Sequence, residues 1–147
     1  MLWKERLYPN IGVWVILLGL SLAPAVIFAP IDMTIGVVSA AVTLTILVIM
    51  MLTSIPSIVV TRSVLEVGRA RIDRQYLGTV EAFVKEEATR QRGTELHGWT
   101  YLCIRGWIDP VVKIEIIDPE DRTPYWLVSS RHPHKLAELL TSRATKP

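Results

Sequence analysis

The sequence predicts a membrane-anchored α+β protein: a membrane α-helical hairpin of two transmembrane helices, then a small cytosolic domain whose antiparallel sheet or barrel is closed by a C-terminal helix. Three observations predict this class. Residues 11 to 54 contain no Lys, Arg, Glu or His and a single charge, Asp32. Basic residues flank that stretch at both ends and are missing from its middle. The remainder carries short runs of β character and ends in a segment of helical periodicity.

The uncharged stretch divides at Pro30-Ile31-Asp32 into two runs, Ile11 to Ala29 and Met33 to Ser54. Each is close to the ~20 residues that a helix needs to cross a ~30 Å hydrocarbon core. Two adjacent runs without period-2 alternation cannot close a barrel, so helices are the only way to satisfy their backbone groups in lipid. A cleaved secretory signal fits the first run poorly, because the run is too long for such a signal and Pro30 follows the one plausible cut at Ala29. Pro24 removes a backbone hydrogen bond inside the first run and should bend it. Small residues recur at helical spacing, with Gly12, Gly19 and Ala23 in the first run and Gly36 and Ala40 in the second. These helix-packing faces let backbones approach closely, either within the hairpin or against another membrane protein. With no ionisable residue inside either run, the chain is not expected to carry ions by itself.

Lys4 and Arg6 precede the first run, Arg62, Arg69, Arg71 and Arg74 follow the second, and none lies in the turn between them. Positive flanks stay on the cytoplasmic side, so the expected placement is the inner (plasma) membrane with both termini cytoplasmic. Trp3, Tyr8 and Trp14 are placed to form an aromatic belt at the inner interface. A single cysteine, Cys103, leaves no intramolecular disulfide and agrees with a reducing compartment. The net charge of +2, with acids interleaved among the arginines, argues against nucleic acid as a partner.

Three segments follow from this reading: a cytosolic stretch 1–10, the hairpin 11–55, and one domain 57–147, large enough for a single modest core. Almost no linker separates the domain from the second helix, so it should lie close to the bilayer. Ser57 to Val67 is rich in β-branched residues and stops at Gly68-Arg69, with further short runs at Ala70 to Ile72 and Thr79 to Val84. Lys85 to Gly93 is polar with poor apolar periodicity and reads as a loop or a single helical turn. Trp99 to Trp107 reads as another strand. Val112, Ile114 and Ile116 alternate with Val111, Lys113 and Glu115, and Tyr125 to Val128 resumes strand character beyond the turn cluster Asp118 to Arg122, giving a hairpin. Leu136, Leu139 and Leu140 after Pro133 mark the closing helix. Five or six strands and one helix in this order look like a pleckstrin-homology-like (PH-like) barrel, by analogy of fold.

The segments LWKERLYP at the start, RQYLGTVEAF at 74 to 83, and RGWIDPVVKIEIIDPEDRTPYWLVSSRHPHKLAELL at 105 to 140, with the two apolar runs, resemble a family of small actinobacterial membrane proteins known only as a domain of unknown function. Asp118-Pro119 through Thr123 to Pro133 is the most specific stretch. The resemblance implies a two-span inner-membrane protein with a cytosolic domain. It implies no activity and no catalytic residues.

Chemistry is sparse in the residues themselves. His132 and His134 flank Pro133, with His97 and Cys103 upstream, but His-Pro-His is no recognised zinc spacing, and no metal or other cofactor is expected. Cys103 lies between Leu102 and Ile104, where a thiol behaves as a small hydrophobe. The glycines match no phosphate or dinucleotide motif, and the pairs Glu86-Glu87 and Glu120-Asp121 have no apolar pocket to raise a pKa. No catalytic residue is expected. The expected function is that of a non-catalytic accessory or scaffold subunit of a larger membrane complex, with a respiratory or cell-envelope assembly as host and other integral membrane proteins as partners. Tyr125 and Trp126 alternate across a strand, so one of them could face outward as a partner-docking residue. The alternative is a sensor of anionic membrane lipid that grips headgroups through Arg62, Arg69, Arg71 and Arg74. An enzyme is the third reading.

Overall fold

The computed structural model describes residues 2–142 and divides into two units, one of residues Tyr8–Ile55 and one joining Met1–Leu7 to Pro56–Pro147. The first strand, β1 (Trp3–Arg6), belongs to the second unit. The helical unit follows with α1 (Ile11–Ser21), α2 (Ala23–Phe28) and α3 (Met33–Thr53).

In the helical unit, Asn10 caps α1 by accepting the Val13 N–H at 3.1 Å. Pro24 falls in the first turn of α2, where its missing N–H costs least, so the predicted bend takes the form of a break at Leu22 between two helices. Asp32 does more than interrupt the apolar stretch: its Oδ1 accepts the Thr34 N–H at 2.6 Å and the Ile35 N–H at 3.2 Å, starting α3. These bonds, Ile35 first and Thr34 second, hold its carboxyl below the ordinary range. Ile11–Phe28 spans 18 residues and Met33–Thr53 spans 21, with mean hydropathies of 2.4 and 2.6, long and apolar enough to cross a membrane. At 1.5 Å per residue they reach about 27 and 32 Å. Among the residues of α1, α2 and α3 only Ser21 and Gly36 are buried.

The second unit holds two four-stranded sheets. The first orders β1, β2 (Ser57–Val60), β3 (Val64–Val67) and β4 (Ala70–Asp73), all antiparallel. The β-branched run 57 to 67 is therefore a hairpin rather than one strand, turned at Thr61, whose side chain accepts the Val64 N–H. Gly68 takes φ +60° in the two-residue turn between β3 and β4, the backbone that favours glycine. The second sheet contains β5 (Leu77–Phe83), β6 (Tyr101–Cys103), β7 (Val111–Ile116) and β8 (Tyr125–Ser129), in the order β5-β7-β8-β6. The predicted hairpin of β7 and β8 is present and antiparallel.

Three expectations need correction. The run 99 to 107 supplies only three strand residues, and β6 pairs parallel with β8, so the second sheet is not purely antiparallel. After Cys103 the ladder stops because the Arg105 N–H goes to the Ser129 hydroxyl and the chain turns from Arg105 to Ile108. Residues Lys85–Arg92 form an eight-residue helix, α4, longer than the expected loop or single helical turn. Only Ala88 and Gln91 of α4 are buried, which is why no apolar periodicity marks it. The two sheets form separate ladders among the described residues and do not close a barrel.

The main core lies where both sheets meet α5 (Pro133–Thr141): Ile58, Val60, Leu65 and Val67 from one side, Val112, Ile114, Trp126 and Val128 from the other, with Leu136 and Leu140. A smaller cluster of Ala88, Val111, Tyr125 and Leu127 joins α4 to the second sheet. That sheet thus carries a cluster on each face, and all five residues of β8 are buried. The N-terminal segment, expected to stand apart, pairs Trp3–Arg6 with Val60–Ser57. Its inward positions are Trp3 and Glu5, and a carboxylate on the inner face conceals the strand pattern.

Candidate functional site

The four arginines expected to grip lipid do not form one site. Arg62 lies in the turn before β3 and Arg69 in the turn after it, at opposite ends of that strand, and both are exposed. Arg71, on β4, is exposed and lies 3.7 Å from Glu66. Arg74 turns inward: it donates to Thr61 O at 3.3 Å and to the carbonyls of Leu139 and Leu140. A cation on the last carbonyls of α5 satisfies groups that the helix leaves open, so Arg74 is a structural residue and leaves the lipid set.

The small residues of the helical unit divide in the same way. A Cβ on Gly36 would meet Ala25 O at 3.1 Å and Ala29 N at 3.3 Å, so this glycine sets the approach of α3 to α2. Ala40 is half-buried one turn further along. A Cβ on Gly19 would meet nothing within 4 Å, Gly12 sees only the Asn10 side chain, and Ala23 is exposed. Three of the five predicted packing residues are therefore unused inside the hairpin.

Tyr125 and Trp126 do face opposite sides of β8, yet both are buried, at 7% and 4% exposure, and the docking role expected of them is corrected. Trp126 stacks at a tilt on Tyr101, ring centroids 5.1 Å apart, in the main core. Tyr125 is fixed in the smaller cluster, its hydroxyl accepting the His97 N–H at 2.9 Å and donating to Glu95 O at 3.3 Å. Because each face of this sheet carries a cluster, strand alternation could not identify an outward aromatic. Trp99, in a turn, is the exposed one, at 67%. Trp3, placed in an aromatic belt from the sequence, packs instead against the main core.

Sequence reasoning missed Glu5. This carboxylate is 8% exposed and accepts the Ser130 hydroxyl at 2.7 Å and the Arg131 N–H at 2.8 Å. His132 Nδ1 lies 4.0 Å away on the exposed side. The arrangement fastens β1 to the start of α5; the Ser130 proton is committed to Glu5 and its oxygen to the His132 N–H, so the hydroxyl is not set up for attack. The signal that could have found it is a lone acid between Lys4 and Arg6 in an alternating tetrapeptide. Burial pushes the Cys103 thiol up, as expected of an apolar strand position. Among the described residues no three His, Cys, Asp or Glu side chains converge on a common point.

The fold defines an α+β protein with two apolar helices long enough to span a membrane inserted between its first strand and the rest of its sheets. The chain belongs to the family described as Protein of unknown function (DUF3093), whose family model matches residues 2–140. No curated protein and no solved structure matches it.

Proposed function

We propose that the chain is a non-catalytic accessory or scaffold subunit of a larger membrane complex, docking through its helical hairpin and its sheet unit onto other integral membrane proteins. The observation that carries this reading is that Gly12, Gly19 and Ala23 stay uncovered while Gly36 and the half-buried Ala40 lie on the packed side of the hairpin. In lipid, where no hydrophobic effect joins helices, uncovered small residues favour a neighbouring helix over acyl chains. The pairing of β1 with β2 supports two full crossings, because the segments before the first helix and after the second share one sheet. The basic flanks favour the cytoplasmic face of the plasma membrane for that sheet. We read the sheet unit as PH-like, supported by two four-stranded sheets followed by a packed C-terminal helix.

Purification in mild detergent from native membranes, with mass spectrometry, tests the proposal. The wild-type chain is expected to bring down stoichiometric membrane partners, and Gly19→Leu to lose them while remaining folded. A clean monomer or homodimer in repeated preparations overturns it.

The exposure of Arg62, Arg69 and Arg71 favours a second reading, contact with anionic lipid, as scattered electrostatic attraction rather than a headgroup pocket. Binding of the full chain's membranes to anionic vesicles that ignores salt and the double change Arg69→Ala, Arg71→Ala removes that reading.

A further inference from the structure

On the outer side of the second sheet, Thr79, Glu81, Lys113, Glu115, Pro124 and Tyr125 line an open basin of about 400 Å³. Register explains the grouping: Glu81 lies directly across from Lys113, and Glu115 directly across from Tyr125. The basin holds two carboxylates and one ammonium, and among the described residues neither glutamate has an ion pair within 4 Å. Lys113 instead rests its Nζ 4.5 Å above the centre of the Tyr125 ring.

Each wall is fixed. The hydroxyl of Tyr125 is tied to His97 and Glu95, which holds the ring in place. The sheet has a register shift between Leu77 and Val80, and there the Thr79 N–H leaves the ladder and donates to Glu115 Oε2 at 2.9 Å. Gly78 makes room for this, since a Cβ there would lie 2.6 Å from that same oxygen. The Thr79 N–H keeps the Glu115 carboxyl below its ordinary range.

We infer that this basin is a receptor for a cationic side chain, an Arg or Lys from the cytosolic loop of a neighbouring membrane protein, seated between Glu81 and Glu115 in the place that the Lys113 ammonium now takes. Two carboxylates suit a guanidinium or ammonium, and Lys113, resting over the otherwise buried Tyr125 ring, is the internal stand-in that the incoming cation displaces. Cytoplasmic loops of membrane proteins are enriched in Arg and Lys, which matches the charge the basin lacks. The inference rests on the accessory-subunit reading for the source of the side chain, and not for the chemistry of the basin.

The test uses the full chain in nanodiscs of zwitterionic lipid, titrated calorimetrically at low salt with a capped peptide of alternating Gly and Arg. Saturable binding is expected, weakened about threefold by Glu81→Gln, about tenfold by adding Glu115→Gln, and absent for the matching Gly and Glu peptide. Lys113→Ala should tighten binding about threefold by removing the internal competitor and its charge. No saturable binding, binding indifferent to Glu81→Gln, or weaker binding in Lys113→Ala overturns the inference. If the peptide fails while partners still co-purify, the basin is rejected and the accessory role stands; peptide binding without any partner does the reverse.

Discussion

Gly36 and Gly19 are the same residue in helices of similar apolar character, and their surroundings give them opposite tolerances. At Gly36 any side chain must push into the Ala25 carbonyl and Ala29 amide, backbone atoms that cannot swing away. Gly36→Leu is expected to destabilise the hairpin by about 1–3 kcal/mol, seen as a lower denaturation midpoint in detergent, while Gly19→Leu leaves that midpoint unchanged. Glu115 gives a residue-scale prediction in pH. Its folded carboxyl is held low by the Thr79 N–H, so its contribution to stability is complete above the unfolded value of about 4.3 and is lost as pH falls through the lower folded value. Denaturation midpoints of wild type and Glu115→Gln should therefore differ at neutral pH and converge in acid.

At the scale of elements, α4 shows how a helix forms without an apolar stripe. Asp109 holds both of its ends, accepting the Lys85 N–H at 3.0 Å and pairing with Arg92 at 2.6 Å. The chain enters α4 through Lys85 at φ 54°, a left-handed conformation that costs a side-chain-bearing residue roughly 1–2 kcal/mol. Lys85→Gly is expected to leave stability unchanged or raise it by up to about 1 kcal/mol, whereas Asp109→Ala should speed amide exchange across residues 85–92; slow exchange there in Asp109→Ala would contradict the clamp. Such devices are what the sequence hides. The apolar helices were legible as uncharged length, the strands at 111–116 and 125–128 as β-rich runs around a turn cluster, and the helix after Pro133 as a helical period. By contrast, α4 is held by a distant acid, β6 owes its direction to a partner strand, and β1 puts a glutamate where an apolar residue would announce it. The candidate site was less legible still. Arginines adjacent in sequence separate to the two ends of β3, one of them caps a helix, and the aromatics of β8 disappear between two cores. The basin of Glu81, Lys113 and Glu115 exists only through strand register, which no single segment encodes.

For the whole molecule, the consequence of the fold is topological. Residues 3–6 and 57–60 are hydrogen-bonded neighbours in one sheet, with 18- and 21-residue apolar helices between them. If both helices cross a bilayer, the chain must return to the side from which it left. The buried Glu5, bonded to Ser130 and Arg131, then ties the strand leading into the first helix to the far end of the sheet unit. The most direct check is impermeant-maleimide labelling of single cysteines in intact cells, in a Cys103→Ser background. Ile31→Cys is expected to react from outside, and Lys4→Cys and Arg62→Cys only after the membrane is opened; labelling of Lys4→Cys and Arg62→Cys on opposite sides, or of both from outside, would contradict the account.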